Sequence, residues 1–107
     1  MSPRFVKVGR VQDVPPQGRP ETFEVEGRNI AIYRLDEGFH AIDDICTHDG
    51  GPLAEGEVED DVVICPRHGA RFSIRTGAAL SLPAITPVDT YPVRVDGDDL
   101  LVGFPEE

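Results

Sequence analysis

Short runs of apolar and β-branched residues, each closed by glycine, proline or acidic residues, recur along the whole chain. Ten prolines and eleven glycines leave few uninterrupted stretches of ten residues, and none of these repeats its apolar positions every 3.6 residues. The pattern therefore predicts strands and no amphipathic helix. The predicted strands cover residues 4–8, 22–25, 29–35, 40–42, 62–64, 91–95 and 100–102.

Turn residues join several of these predicted strands into hairpins, at residues 26–27, 37–38 and 96–98. The segment from about residue 45 to residue 80 has a different composition, because it carries both cysteines, two of the three histidines and five of the glycines. The sequence thus predicts an all-β fold, an antiparallel sandwich or barrel, with a smaller loop-rich lobe inserted into it.

Length and charge narrow the class of protein. The 107 residues suit one domain over residues 1–107, and the net charge of −10 would repel nucleic acid and anionic membranes. No apolar run is long enough for a membrane span, and residues 1–7 lack the apolar segment of a signal peptide. We therefore expect a cytoplasmic protein, in which two cysteines more commonly bind metal than form a disulfide.

Two similar loops carry the candidate chemistry. Cys46 and His48 form a Cys-x-His pair, Cys65 and His68 form a Cys-x-x-His pair, and sixteen residues separate His48 from Cys65. Thiolates and imidazoles exclude calcium and magnesium, which prefer oxygen ligands. A single zinc ion on all four side chains and a [2Fe–2S] centre both remain possible on chemical grounds. The alternating order of cysteine and histidine favours a binuclear centre held between the two loops.

These loops resemble the Rieske motif, and the resemblance extends over nearly the whole chain. It includes residues 50–53, Phe72, residues 76–77 and residues 91–95. The resemblance implies a Rieske fold with one [2Fe–2S] cluster, in which Cys46 and Cys65 ligate the inner iron and His48 and His68 ligate the outer iron. It also implies a proline loop over the cluster, for which Pro83 is the candidate.

The chain departs from the respiratory-complex branch of this family at four positions. Gly51 and Arg67 stand where that branch carries two disulfide-forming cysteines, and Ala70 and Phe72 stand where it carries serine and tyrosine hydroxyls. Because fewer donors leave the charge of a reduced cluster less stabilised, we expect a potential near the low end of the Rieske span of about −150 to +300 mV.

The resemblance predicts a one-electron carrier. His40 is the histidine left outside the motif, which is too few for a mononuclear oxygenase iron, and no Gly-x-Gly-x-x-Gly motif is present. We therefore expect a monomeric carrier, not an enzyme by itself, between a flavin-dependent NAD(P)H reductase and a terminal oxygenase. Two alternatives remain: a small subunit permanently bound to a larger enzyme such as nitrite reductase, and a zinc-stabilised interaction module.

The remaining polar features favour structural explanations. His40, beside an aromatic residue on a predicted strand, is expected to have a structural role. Five acids among residues 55–61 indicate a solvated turn more than a docking face for a partner. Arg67, Arg71 and Arg75 are expected to form solvated or structural pairs; as a functional hypothesis, Arg67 would steer a partner.

Overall fold

The computed structural model describes residues 4–16, 19–45, 51–66, 69–82 and 86–104, and within them the chain is built from short strands. The regular elements there are ten strands and one 3₁₀ turn, Val11–Asp13, which confirms the all-β prediction. None of the described residues forms a helix that could cross a membrane. The strands are β1 Arg4–Arg10, β2 Glu21–Val25, β3 Arg28–Leu35, β4 Gly38–Asp43, β5 Val58–Glu59, β6 Val62–Ile64, β7 Arg71–Ser73, β8 Thr90–Tyr91, β9 Val93–Asp96 and β10 Asp99–Phe104.

Three antiparallel sheets divide these strands. Their orders are β1-β10-β9, β2-β3-β4-β8 and β5-β6-β7. We call the first two sheets the framework, and the third sheet with its turns, over residues 51–66 and 69–82, the small lobe. The predicted hairpins β2–β3, β3–β4 and β9–β10 are all confirmed. At the first of them Glu26 and Gly27 both have positive φ, 52° and 82°, as a tight two-residue hairpin turn requires.

Strand β3 is apolar on both faces because it lies between two cores. Side chains alternate across a strand, and Ile30 and Ile32 accordingly pack into one core while Ala31 and Tyr33 pack into the other. The framework core lies between the two framework sheets and includes Val14, Val25, Ile30, Ile32, Ala41, Tyr91, Leu100, Val102 and Phe104. The lobe core lies on the opposite face of β3 and includes Ala31, Tyr33, Ile42, Leu53, Val63, Cys65, Ala70, Phe72, Ile74 and Val88.

The predicted strand over residues 91–95 is wrong as one continuous element. Tyr91 pairs with Ala41 in the second sheet, whereas residues 93–96 pair with β10 in the first. Pro92 separates the two segments because a proline has no N–H to continue a ladder. Its carbonyl accepts a hydrogen bond from the Gly103 amide at 2.9 Å. The single segment over residues 91–95 therefore contributes strands to two different sheets.

Two short strands of the small lobe were not predicted. β5 has two residues and β7 has three, and neither contains the run of β-branched residues that marks a strand in a sequence. They are strands because tertiary contacts position them on either side of β6, where Val58 faces Val63 and Phe72 faces Val63 across the ladders. The loop-rich lobe inserted between framework strands is thus confirmed, with more order than its sequence indicates.

Candidate metal centre

Cys65 lies at the start of a tight turn in the small lobe. It follows β6 directly, and the residue is 1% exposed. Its amide donates a hydrogen bond to the Ala70 carbonyl at 2.7 Å, and the Gly69 amide donates to the Cys65 carbonyl at 3.0 Å. Gly69 has a φ of +74°, a conformation that glycine adopts without a steric penalty. These two hydrogen bonds hold Cys65 close to Gly69 and Ala70, between β6 and β7.

An apolar shell surrounds Cys65. Leu53, Val63, Ala70 and Phe72 all have 0% exposure and share the lobe core with it. Such a shell keeps water from a thiolate ligand and from sulfide, and it lowers the local dielectric around any charge placed there. The buried residues Ala70 and Phe72 bring no hydroxyl group to this core. Ala70 and Phe72 are the two positions at which the sequence lacks the hydroxyl donors of the respiratory branch, and both lie in the core that contains Cys65.

The other predicted loop is closed at its base by hydrogen bonds. Asp44 lies before this loop and Ala54 lies after it, and the Ala54 amide donates to Asp44 Oδ1 at 2.7 Å. The Asp44 amide in turn donates to the Asn29 carbonyl at 2.9 Å, which fixes this end of the loop to the framework. The loop that carries two of the predicted ligands therefore starts and ends at one point beside β3.

Gly56 connects the two loop regions. Its amide donates to the Leu53 carbonyl at 2.9 Å, and a Cβ atom at this position would collide with the backbone carbonyl of Ile64. Ile64 is the residue immediately before Cys65. The Ile64 amide also donates to the Glu57 carbonyl at 2.9 Å. The turn after the first loop thus packs directly on the strand that leads into the second loop.

Of the four predicted ligands, the structure describes Cys65. Cys46, His48 and His68 lie outside the described residues, as do Arg67 and the candidate loop proline Pro83.

An ionic cluster joins the framework to the small lobe. Arg75 donates to both carboxylate oxygens of Glu37, at 2.6 and 2.8 Å, and to Asp61 Oδ2 at 2.6 Å. His40 Nε2 lies 2.7 Å from Glu37 Oε2. The Arg75 guanidinium lowers the pKa of Glu37 to about 2, with a smaller contribution from a backbone hydrogen bond. The structural roles expected for Arg75 and His40 are in accord with these contacts.

The acidic run over residues 55–61 contains strand β5 and the turn that joins β5 to β6. Two of its acids are paired, Glu59 with Arg71 at 3.0 Å and Asp61 with Arg75. Glu55, Glu57 and Asp60 are exposed. The sequence did not indicate the link from Arg75 to Glu37, because 38 residues separate them and neither belongs to a motif.

Four similarities to known proteins bear on this site. The family model for the Rieske [2Fe–2S] domain matches residues 4–92. The 3-phenylpropionate/cinnamic acid dioxygenase ferredoxin subunit of Escherichia coli (strain K12) is 45% identical over 78 residues, which cover 72% of this chain and 74% of that one. The ferredoxin of Sphingomonas yanoikuyae B1 superposes with a TM-score of 0.88 at 30% identity, covering 95% of this chain and 100% of that one. A chain in the complex of reduced oxygenase and oxidized ferredoxin in carbazole 1,9a-dioxygenase superposes with a TM-score of 0.84 at 33% identity, covering 92% of each chain.

A β framework with a small lobe built around a buried cysteine and a tight glycine turn defines a Rieske-type protein. The chain belongs to the Rieske [2Fe–2S] family, and within it to the ferredoxins that carry electrons. Its cofactor is one [2Fe–2S] cluster, and the donor chemistry fits, because Cys65 offers a thiolate inside an apolar shell. The family match favours this cluster over the single zinc ion that the four side chains alone left open.

Proposed function

We propose that this chain takes single electrons from a flavin-dependent NAD(P)H reductase and delivers them to the terminal oxygenase of a ring-hydroxylating dioxygenase system. The observation that carries the proposal is the 45% identity to a dioxygenase ferredoxin subunit. The structural similarity to a chain from a complex of an oxygenase with its ferredoxin supports the same assignment. We further propose that residues 1–107 act as one domain, monomeric and cytoplasmic, and not as an enzyme on their own.

We assign the ligands by the family motif: Cys46 and Cys65 to the inner iron, His48 and His68 to the outer iron. The complete burial of Cys65 supports an inner position for the thiolate side. When bound, the cluster supplies the one-electron chemistry, a change from a neutral centre to a monoanion. Because the lobe core is apolar around Cys65, it excludes water and penalises that added charge. This supports a potential near the low end of the Rieske range.

Exposed apolar side chains beside the two loops support contact with a partner protein at this end of the molecule. Among the described residues, four large apolar side chains are exposed, and three of them flank the predicted ligand loops: Ile45 at 44%, Leu80 at 51% and Leu82 at 77%. The fourth, Val95 at 49%, lies on the framework strand β9. Apolar side chains at the centre of a contact with a polar rim are typical of protein interfaces.

Hydrogen bonds attach Leu80 and the residues beside it to β7. The Ser73 amide donates to the Ala78 carbonyl at 2.9 Å, and the Leu80 amide donates to the Arg71 carbonyl at 2.7 Å. The Arg71 amide donates to Ser81 Oγ at 3.1 Å. This segment therefore lies beside β7, the strand that follows the second loop, and the backbone at Leu80 is already ordered before a partner binds.

Electron paramagnetic resonance of the dithionite-reduced protein, together with its iron and zinc content, tests the proposal. We expect about two irons per chain and a reduced-state signal of the mixed-ligand [2Fe–2S] type. A silent spectrum with one zinc per chain would refute it. Gel filtration of a native extract tests the carrier against the bound-subunit alternative: a free carrier elutes near its own 11.7 kDa, whereas a permanent subunit elutes with its enzyme.

A further inference from the structure

Tyr33 carries a buried hydroxyl group with no hydrogen-bond partner. The residue is 1% exposed, and its hydroxyl is the buried side-chain polar atom that remains unpaired in the described part of the chain. Tyr91 is a contrast, because its hydroxyl donates to Asp43 Oδ1 at 2.6 Å and accepts from Arg28 at 3.0 Å. An unpaired buried hydroxyl destabilises a fold. A functional role for the Tyr33 hydroxyl would explain why this cost in stability is tolerated.

The position of Tyr33 places this hydroxyl in the core that holds the cluster ligand. Tyr33 projects from β3 into the lobe core, together with Cys65, Leu53 and Phe72. Burial raises the pKa of Tyr33 well above its ordinary value, and the nearby Asp44 carboxylate, at the base of the first loop, adds to this effect. The group therefore stays protonated and keeps its O–H bond as a possible donor.

The same core lacks the hydroxyl groups that a Rieske cluster receives from its second loop in the respiratory branch. Ala70 and Phe72 stand at those positions and are fully buried. An oriented dipole acts strongly in an apolar interior, since little solvent is present to screen it. Among the described residues no acceptor lies within hydrogen-bond distance of the Tyr33 hydroxyl, so its O–H bond can turn toward a negative charge that arrives in this core.

We propose that the Tyr33 hydroxyl stabilises the reduced state of the cluster and thereby raises its midpoint potential. The inference rests on the proposed function, because it requires the one-electron change at the cluster. Tyr33 is not a ligand in this proposal. It is a donor supplied by the framework sheet, and it offsets part of the loss of the hydroxyl groups missing at Ala70 and Phe72.

A redox titration of the intact, cluster-loaded Tyr33→Phe variant tests the proposal, with Tyr91→Phe as the matched control. At the ambient potential where the wild-type protein is half reduced, we expect the ratio of reduced to oxidised Tyr33→Phe protein to be several-fold lower. The same ratio should stay unchanged in Tyr91→Phe, because that hydroxyl lies outside the lobe core. Iron content and the resonance signal of each variant establish that the cluster itself is intact.

Thermal unfolding of the oxidised proteins provides a readout that separates packing from electrostatics. Tyr33→Phe should leave the melting temperature unchanged or raised, because it removes an unpaired buried group, whereas Tyr91→Phe should lower it by breaking two hydrogen bonds. An unchanged redox ratio in Tyr33→Phe, with an intact cluster, would refute the role of Tyr33 alone. The absence of a two-iron signal from the wild-type protein would refute the proposed function and this inference with it.

Discussion

The framework and the small lobe are both apolar inside, but they are held together differently. Framework strands run up to eight residues, and β10 pairs with both β1 and β9, with one register shift between Lys7 and Gly9 of β1. The strands of the small lobe have two or three residues each. A ladder this short contributes few hydrogen bonds, and most of the remaining backbone bonds of the lobe are in turns. Regular strand pairing stabilises the framework, whereas the small lobe depends more on the contacts that attach it to the framework.

Besides the lobe core, which includes Ala31, Tyr33 and Ile42 of the framework, three polar connections attach the lobe to its surroundings. Arg75 joins it to the β3–β4 turn through Glu37, and the Ala54 amide joins it to Asp44. The Val88 amide donates to the Gly77 carbonyl at 2.8 Å and so ties the lobe to the chain that returns toward β8. The cluster, held as proposed by ligands from both loops, would add a fourth connection. The comparison indicates that a small lobe can have a precise geometry without being stable by itself.

Removal of iron should have the largest effect and should affect the two regions unequally. We expect amides of β6 and β7 to exchange with deuterium about tenfold faster or more after chelation, because the lobe loses its central connection. Amides of β3 and β10 should exchange at nearly their original rates. Hydrogen exchange measured by mass spectrometry on both forms makes the test. Equal acceleration in both regions would contradict the distinction between them.

The second-largest effect should come from Gly56→Ala, with Gly97→Ala in the framework as the matched control. A Cβ at position 56 would meet the Ile64 carbonyl and displace the strand that leads into Cys65, at a cost of ~1–3 kcal/mol. Gly97 has a φ of +63° with nothing within 4 Å of its added Cβ, so alanine there should cost ~1–2 kcal/mol from backbone strain alone. Denaturant unfolding and iron content provide the measurements. We expect iron loss in Gly56→Ala; retention of full iron would show that the turn is not tied to the ligand strand.

A smaller effect should follow from Arg75→Gln, compared with Arg4→Gln. Both arginines form partly exposed pairs, Arg75 with Glu37 and Arg4 with Glu26, so both changes should lower the melting temperature slightly. Arg75→Gln should also speed hydrogen exchange in the lobe, because it detaches the lobe from the β3–β4 turn. Equal exchange in the two variants would count against that connection.

The Glu37 pair has a defined pH dependence. Its pKa is about 2 in the folded chain against an ordinary 4.5, so its contribution is complete above pH 4.5 and is lost as the pH falls toward 2. The difference in melting temperature between wild type and Glu37→Gln should therefore shrink as the pH falls below 4.5. A difference that grows on acidification would have the wrong sign for this interpretation.

Leu82→Ser should have the smallest effect on stability, within about 0.5 kcal/mol, and so should Val95→Ser, because both side chains are exposed. Their effects on electron delivery should differ. We expect Leu82→Ser to raise the carrier concentration needed for half-maximal oxygenase turnover, and Val95→Ser to leave it unchanged. A rise in both variants would indicate a general surface effect and not contact at the loop end.

The sequence predicted those features that depend on local residue patterns. Strand β3 was predicted because its β-forming residues are consecutive, and the hairpin turns because glycine marks them. The division at Pro92 was missed because the apolar run continues on both sides of it. Strands β5 and β7 were missed because contacts with residues outside these short segments determine their pairing.

The candidate metal centre was likewise predicted only as far as local residue patterns mark it. Two cysteines and two histidines in two short motifs, together with the resemblance to Rieske proteins, predicted the cluster and its ligands. The unpaired hydroxyl of Tyr33 and the bond from Arg75 to Glu37 depend on residues brought together by folding. No spacing in the chain marks either one.

The position of β3 between two cores has a consequence for how its register is maintained. In a sheet with one wet face, a slip of one residue exposes apolar side chains, and polarity prevents it. In β3 the four residues from Ile30 to Tyr33 are buried on alternating faces, so a slip would leave apolar side chains inside on both sides. Side-chain volume opposes the slip here, since it would put isoleucine where Ala31 fits and alanine where an isoleucine is needed. A slip would also bury Asn29 or Arg34, so shape acts together with polarity at the two ends of the buried stretch.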